Sequence, residues 1–170
     1  MSRWKIINQE YLEKNEWINL RKDTCETASG KNISAYYVVE IQDVSCVVAL
    51  TKEKKILLIK EYKHGVQKEI IQLPCGYVNK TEIPLQTAKR ELLEETGYST
   101  KKWKFLGKCA GSPGRLTHYY HFFVALDVEK ESKPKLDEIE SLQCFLYTLE
   151  ESEKILKKQE IDLITPTGFY

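Results

Sequence analysis

The 170-residue chain is long enough to bury one hydrophobic core and is of a size for one domain. Apolar residues make up 42% and charged residues 30%, with a net charge of +1, which excludes the strong field of a nucleic-acid-binding or membrane-surface protein. No apolar run approaches the roughly 20 residues of a membrane-spanning helix, Met1–Lys5 leads into no signal-peptide core, and the cysteines (Cys25, Cys46, Cys75, Cys109, Cys144) are odd in number and never spaced CxxC, which argues against a zinc cluster or a disulfide framework and predicts a cytoplasmic protein.

In chain order, residues 1–40 read as an N-terminal arm whose last part, Ile33 to Glu40, is a strand rich in Tyr and Val. Val44 to Leu50 and Lys55 to Tyr62 follow as a hairpin about the turn Thr51–Lys54. Gln72 to Val78 reads as a short strand interrupted by Pro74 and Gly76. A helix is expected from Pro84 to Thr96, with Pro84 in its first turn and Gly97 as its stop. Trp103 to Ala110 and Tyr119 to Val128 are two more strands, separated by the loop Gly111–Arg115. Thr148 and Glu151 form a capping-box pattern for a second helix reaching Lys158. Helices among hairpin-compatible strands predict a mixed α/β or α+β sandwich.

The first helix carries the chemistry. At about 100° per residue, Leu85, Ala88 and Leu92 share the packing arc, while Glu91, Glu94 and Glu95 gather on the arc beside it. Like charges at these spacings repel, so a cation is expected among them. Oxygen ligands without His or Cys suit Mg²⁺ or Mn²⁺. Three glutamates alone would read as a solvated face, but the wider spacing is more specific. Gly76 is followed by five residues and Glu82, then by seven residues and Arg90-Glu91-Leu92-Leu93-Glu94-Glu95-Thr96-Gly97. A chance match at these seven fixed positions is on the order of one in a million.

This pattern, spanning 76–98, resembles the signature of the Nudix hydrolases, apart from Tyr98 in a place usually held by a bulky aliphatic residue. The resemblance implies a single Nudix domain over 1–170, an α/β/α sandwich with a mixed β-sheet. It implies a metal held by Glu91, Glu94, Glu95 and the main-chain carbonyl of Cys75. Arg90 is expected to orient a glutamate through its fork of donors, Glu82 to give support, and Gly76 to let the backbone pass close to the site.

Beyond the box the chain is similar to the ADP-ribose pyrophosphatase branch. The similarity rests on Tyr36–Glu40, Glu61–Gly65, the Leu73-Pro74-Cys75-Gly76 run, and Pro113 sixteen residues past Gly97. It implies hydrolysis of the diphosphate of ADP-ribose, or of a related nucleoside diphosphate sugar, to a nucleoside monophosphate and a sugar phosphate. The rival readings are GDP-mannose or another nucleotide sugar, a dinucleoside polyphosphate, and a non-catalytic nucleotide-sensing module. Lys63 stands where the branch usually has a diphosphate-contacting arginine, and Gln72 where an acid is common. The usual loop glutamate after Ser-Pro-Gly is replaced by Arg115-Leu116-Thr117-His118, so His118, Glu138 and Glu140 are the alternative candidates for the base. Lys63 and Arg115 are expected at the phosphates with Gly76 and Pro113 nearby, and Trp17 or Tyr36 at the base or sugar. In this branch the arm commonly exchanges between subunits, which implies a homodimer.

Overall fold

The computed structural model describes residues 3–136 and 141–158. The chain divides into two compact units, Met1–Asp43 with Cys109–Tyr120, and Val44–Lys108 with His121–Tyr170.

The first unit is built on a three-stranded antiparallel sheet of β1 (Lys5–Lys14), β2 (Asn19–Glu26) and β3 (Asn32–Glu40), in that order. The bend between β1 and β2 is held by the Asn15 side-chain carbonyl, which accepts the backbone N–H groups of Trp17 and Ile18 at 2.9 Å each. Within the arm and strands expected over 1–40, the sequence pattern locates only β3. Every residue of β1 is exposed, so it lacks the alternation that marks a half-buried strand. In β2 the inward positions include a charged pair, Arg21 and the buried Asp23, bonded at 2.8 Å, with Arg21 also bonded to Glu40. A hydropathy pattern is blind to a strand whose inner face is an ion pair. The segment after Gly111 joins β3 through Val39, whose N–H donates to the Arg115 carbonyl at 2.8 Å and whose carbonyl accepts the Thr117 N–H at 3.2 Å.

The second unit contains β4 (Val44–Leu50), β5 (Ile56–Lys63), β6 (Lys68–Gln72), β7 (Cys75–Tyr77), α1 (Pro84–Thr96), β8 (Tyr98–Ser99), β9 (Lys102–Ala110), β10 (Tyr119–Leu126), β11 (Glu129–Lys130), β12 (Leu142–Tyr147) and α2 (Leu149–Lys158). The ends of β9 and β10 run into the Cys109–Tyr120 segment of the first unit. The main sheet has the order β12-β5-β4-β10-β9, with β6 added beside β5 and β7 beside β4. β4 and β5 pair only near their shared turn, through Ala49 with Leu57 and Leu50 with Ile56. They then separate, and β6 pairs with the half of β5 away from the turn while β7 pairs with the half of β4 away from it. Pro74 cannot donate a ladder bond, so the expected single strand over 72–78 is instead the end of β6, a break, and β7.

Both faces of this sheet are buried. Val47, Ala49 and Leu57 form a core with Ala88 and Leu92 of α1 and with Phe123, Ala125 and Val128. Cys46, Val48, Ile56 and Leu58, which alternate with them, are buried as well. The result is a mixed α+β fold. α1 occupies its expected range, and α2 carries the expected box: the Thr148 N–H donates to Glu151 Oε2 at 2.8 Å and the Glu151 N–H to Thr148 Oγ1 at 3.2 Å. Leu92 is fully buried at the centre of the core. Leu92→Ala should therefore destabilise the protein by about 2–5 kcal/mol, measured as a lowered urea midpoint with an unchanged denaturant slope.

Candidate active site

α1 begins without a side-chain cap, because the residue at its N-cap is Ile83. Gln86 compensates by accepting the Ile83 N–H at 3.0 Å, and Pro84 fills the first turn, where a missing N–H costs nothing. At the other end Gly97 is left-handed (φ 71°), and its N–H donates to the Leu93 carbonyl at 2.7 Å. A Cβ at Gly97 would also overlap the Ser132 carbonyl oxygen. With Ala88 and Leu92 set into the core, Arg90, Glu91, Glu94 and Glu95 are left along the flank of the helix.

Arg90 gathers three carboxylates. Its Nε and Nη2 donate to the two oxygens of Glu82 at 3.0 and 3.1 Å, and its Nη1 lies 2.7 Å from Glu91 Oε1 and 3.0 Å from Glu94 Oε2. Glu82 also accepts from Asn79 at 3.1 Å and from the Thr87 hydroxyl at 3.0 Å. The bond from Arg90 is the main reason that the Glu82 carboxyl titrates below its ordinary range. Glu82 thus fastens the loop before α1 to the helix, and the guanidinium spaces Glu91 from Glu94.

Glu95 is different. It is only 6% exposed, and its Oε2 accepts the backbone N–H of Cys75 at 3.0 Å. Burial first, then the like charges of Cys75, Glu91 and Glu61, push its carboxyl well above the usual range. Gly76 comes next, and a Cβ there would overlap the Glu91 carboxylate. The absence of a side chain at 76 is therefore what allows Glu91 to lie against β7. Facing this group from β5 are Glu61 and Lys63, joined at 2.6 Å, with Gln72 of β6 donating to Glu61 at 3.4 Å. Although burial works against it, the bond from Glu61 raises the Lys63 ammonium above its ordinary value, and the charges of Cys75 and Glu95 add to this. Glu61 was not singled out from the sequence. It lies on another strand, and only the β5–β6 register, with Ile59 opposite Gln72, brings it diagonally to Gln72.

Arg115, Tyr36, Pro113, Trp17 and His118 belong to the first unit. The Arg115 guanidinium stacks over the Tyr36 ring at 4.3 Å and donates to the Tyr37 carbonyl at 3.2 Å. The Tyr36 hydroxyl donates to the Gly114 carbonyl beside Pro113, and Trp4 meets its ring edge-on. Trp17 is 74% exposed at the β1–β2 bend. His118 is 2% exposed, packed against Gly111 and Tyr120, with no hydrogen-bond partner for Nδ1, and burial lowers its pKa toward the neutral form. Glu138 and Glu140 lie outside the described residues.

Among the described residues, no three His, Cys, Asp or Glu side chains form a ready-made metal cage. A hard divalent cation nevertheless suits the donors present. Glu95 is a buried carboxylate whose charge is disfavoured until a cation stands beside it. Glu91 lies in the space left by the missing Cβ of Gly76. Cys75 is opposite Cys46 at a point where the ladder bond passes instead from the Val47 N–H to the Pro74 carbonyl. Such a residue turns both its N–H and its carbonyl away from the partner strand, toward the edge where Glu95 lies. The set is two carboxylates and a main-chain carbonyl, all oxygen, as Mg²⁺ or Mn²⁺ prefers.

Residues 41–165 match the NUDIX domain family, and residues 4–39 match the nucleoside diphosphate sugar hydrolase N-terminal domain. Among curated proteins the chain is 33% identical over 158 residues to an ADP-ribose pyrophosphatase of Bacillus subtilis, covering 92% of this chain and 85% of that protein. A methanol dehydrogenase activator of Bacillus methanolicus is similar to the same extent, 33% over 158 residues with the same coverage. The crystal structure of an ADP compounds hydrolase superposes with a TM-score of 0.85 at 21% identity, over 99% of this chain and 91% of that one, a likeness of fold. Gly76→Ala should force Glu91 aside, weakening Mn²⁺ binding in titration calorimetry while leaving the melting temperature within a few degrees of the parent.

Proposed function

The chain belongs to the NUDIX family, and we propose that within it this protein is a Mg²⁺-dependent pyrophosphohydrolase acting on ADP-ribose, releasing AMP and ribose 5-phosphate. The observation that carries the reading is the convergence of buried Glu95, Glu91 and the Cys75 main chain at the glycine that opens the box. The similarity over both parts of the chain to a nucleoside diphosphate sugar hydrolase N-terminal domain and a NUDIX domain supports the substrate class.

In this proposal Glu91, Glu95 and the Cys75 carbonyl hold the ion, with Glu94 completing the set directly or through water. Mg²⁺, or Mn²⁺ in its place, would polarise the phosphoryl oxygens, lower the pKa of water and stabilise the leaving oxygen. The residues of the chain supply position. The Cys75 N–H fixes one oxygen of Glu95, leaving the other to face the ion. Arg90 holds Glu91 and Glu94 at set places and is itself anchored on Glu82. Lys63, kept protonated by Glu61, meets the negative charge of the diphosphate as a point charge. Water adds to one phosphorus, the bond from that phosphorus to the bridging oxygen breaks, and the bridging oxygen leaves with the other phosphoryl group.

Further parts of the proposal concern recognition and assembly. The rigid pair of Tyr36 and Arg115 offers an aromatic face and a cation to a nucleotide, and exposed Trp17 offers a second stacking surface. The first unit also exposes Trp4, Ile6, Ile7, Tyr11 and Leu12 on or beside β1. This concentration of exposed apolar side chains along one strand supports a homodimer formed through the arm. No helix among the described residues is long and apolar enough to cross a membrane, and the reading places the enzyme in the cytoplasm.

A panel of ADP-ribose, GDP-mannose, other nucleotide sugars and dinucleoside polyphosphates, with Mg²⁺ and Mn²⁺, tests the substrate by product analysis. ADP-ribose should turn over fastest, and fast cleavage of another substrate with none of ADP-ribose would refute the assignment. Glu95→Gln should lower kcat by orders of magnitude, through loss of a metal ligand, with the fold retained by circular dichroism. Glu61→Gln should instead raise the KM for ADP-ribose several-fold with a small effect on kcat, because it loosens Lys63 rather than the metal ligands.

A further inference from the structure

Two cysteines face each other across the strand pair that carries the site. β4 and β7 run antiparallel with Cys46 opposite Cys75. The bond from the Val47 N–H to the Pro74 carbonyl, 2.9 Å, lies one residue past Cys46 and one before Cys75. The cysteines therefore occupy a non-hydrogen-bonded position, where paired Cα atoms stand about 4.5 Å apart with their side chains on one face. A disulfide spans Cα separations of about 4.4–6.8 Å, so the backbone is already within its reach. That face is the one away from α1. Ser45 donates to the Pro84 carbonyl and Val47 packs in the core with Ala88 and Leu92, so Cys46 between them points to the other side.

The two residues differ in exposure. Cys46 is fully buried at 0% exposure, whereas Cys75 is partly exposed, and neither is in a disulfide. Among the described residues, Cys25 and Cys144 face no thiol across their strand registers: Cys25 pairs with Ile6 and Ile33 and Cys144 with Ile59, while Cys109 lies near the end of β9.

We propose that Cys46 and Cys75 form a modification site, a cross-strand dithiol that is oxidised by a small disulfide of the glutathione class to a reversible intrachain disulfide. Cys75, the more exposed of the two residues, loses its thiol proton and attacks one sulfur of the small disulfide. The S–S bond of the reagent breaks, and one small thiolate leaves and takes up the proton. Cys46 then loses its proton and attacks the Cys75 sulfur of the mixed disulfide, and the second small thiolate leaves and is protonated. Two protein thiols have been oxidised by two electrons, and one small disulfide has been reduced to two thiols.

The site would register the change. The Cys75 N–H holds Glu95 at 3.0 Å from the edge of β7 opposite β4. A disulfide needs Cβ atoms about 3.8 Å apart, closer than the roughly 4.5–5.5 Å of an ordinary cross-strand pair, so closure draws Cys75 toward β4 and away from Glu95. Oxidation should lower turnover several-fold. This consequence rests on the proposed hydrolase site; the formation of the bond does not.

The test is incubation of the full chain with oxidised glutathione, blocking of remaining thiols, and mass spectrometry of the digest. The expected product is a Cys46–Cys75 linked peptide two hydrogen masses lighter, with full return of thiols and turnover on adding dithiothreitol. Cys46→Ala should stop at a glutathione adduct on Cys75. Wild-type protein that yields only such adducts, or that links Cys75 to another cysteine, would overturn the proposal. A linked protein with undiminished turnover would overturn the coupling to the site. Reduced protein that never cleaves ADP-ribose would count against the substrate reading and leave the disulfide intact.

Discussion

Burial of one carboxylate, Glu95, beside two others is the constraint around which the second unit is arranged. A charged group out of water is costly unless something bonds it, and here the backbone N–H of Cys75 does so. That bond requires β7 to run beside α1, which in turn requires β4 and β5 to part and admit β6 and β7 between them. Gly76 removes the one Cβ that would push Glu91 away from this junction, and the Arg90–Glu82 pair locks the loop leading into the helix. Each feature would be a defect in an isolated domain: like charges on one helix flank, a short strand interrupted by proline, a carboxylate sealed from solvent. Together they make a place for a hard cation.

The box was legible because its elements are local. Pro84 and Gly97 state the limits of α1, and helical spacing alone collects the three glutamates. The central strands were legible for the same reason, since a short, mostly apolar run rich in Val such as Val44–Leu50 suits a buried strand. The arm was not. β1 has no buried position, and β2 hides Arg21 and Asp23 inside it, so neither produces the alternation that betrays a strand. Glu61 and Cys46 escaped notice because their relation to the site is one of register. Nothing within a few residues of either says that β6 will bring Gln72 to the one, or that β7 will bring Cys75 to the other.

The residues at which the sequence departs from the resemblance are tied into their surroundings in a consistent way. Where an arginine fork would be usual, Lys63 is held by its own strand neighbour Glu61, and Glu61 is held by the neutral Gln72, which stands where an acid is common. The strand pair thus keeps one carboxylate and one cation near Glu95. Arg115 is likewise tied to its surroundings, stacked on Tyr36 and bonded to the Tyr37 carbonyl, so its charge is held in place before any ligand arrives. A charge held in place in this way costs little ordering entropy when it meets an anion.

The central claim is that Glu91, Glu95 and the Cys75 carbonyl converge on one divalent ion. Anomalous diffraction from crystals grown with Mn²⁺ and a non-hydrolysable ADP-ribose analogue tests it most directly. The account predicts an ion about 2.0–2.4 Å from an oxygen of each of the three groups, with a phosphoryl oxygen of the analogue completing its shell. An ion bound elsewhere, with Glu95 still buried and turned from it, would contradict the account.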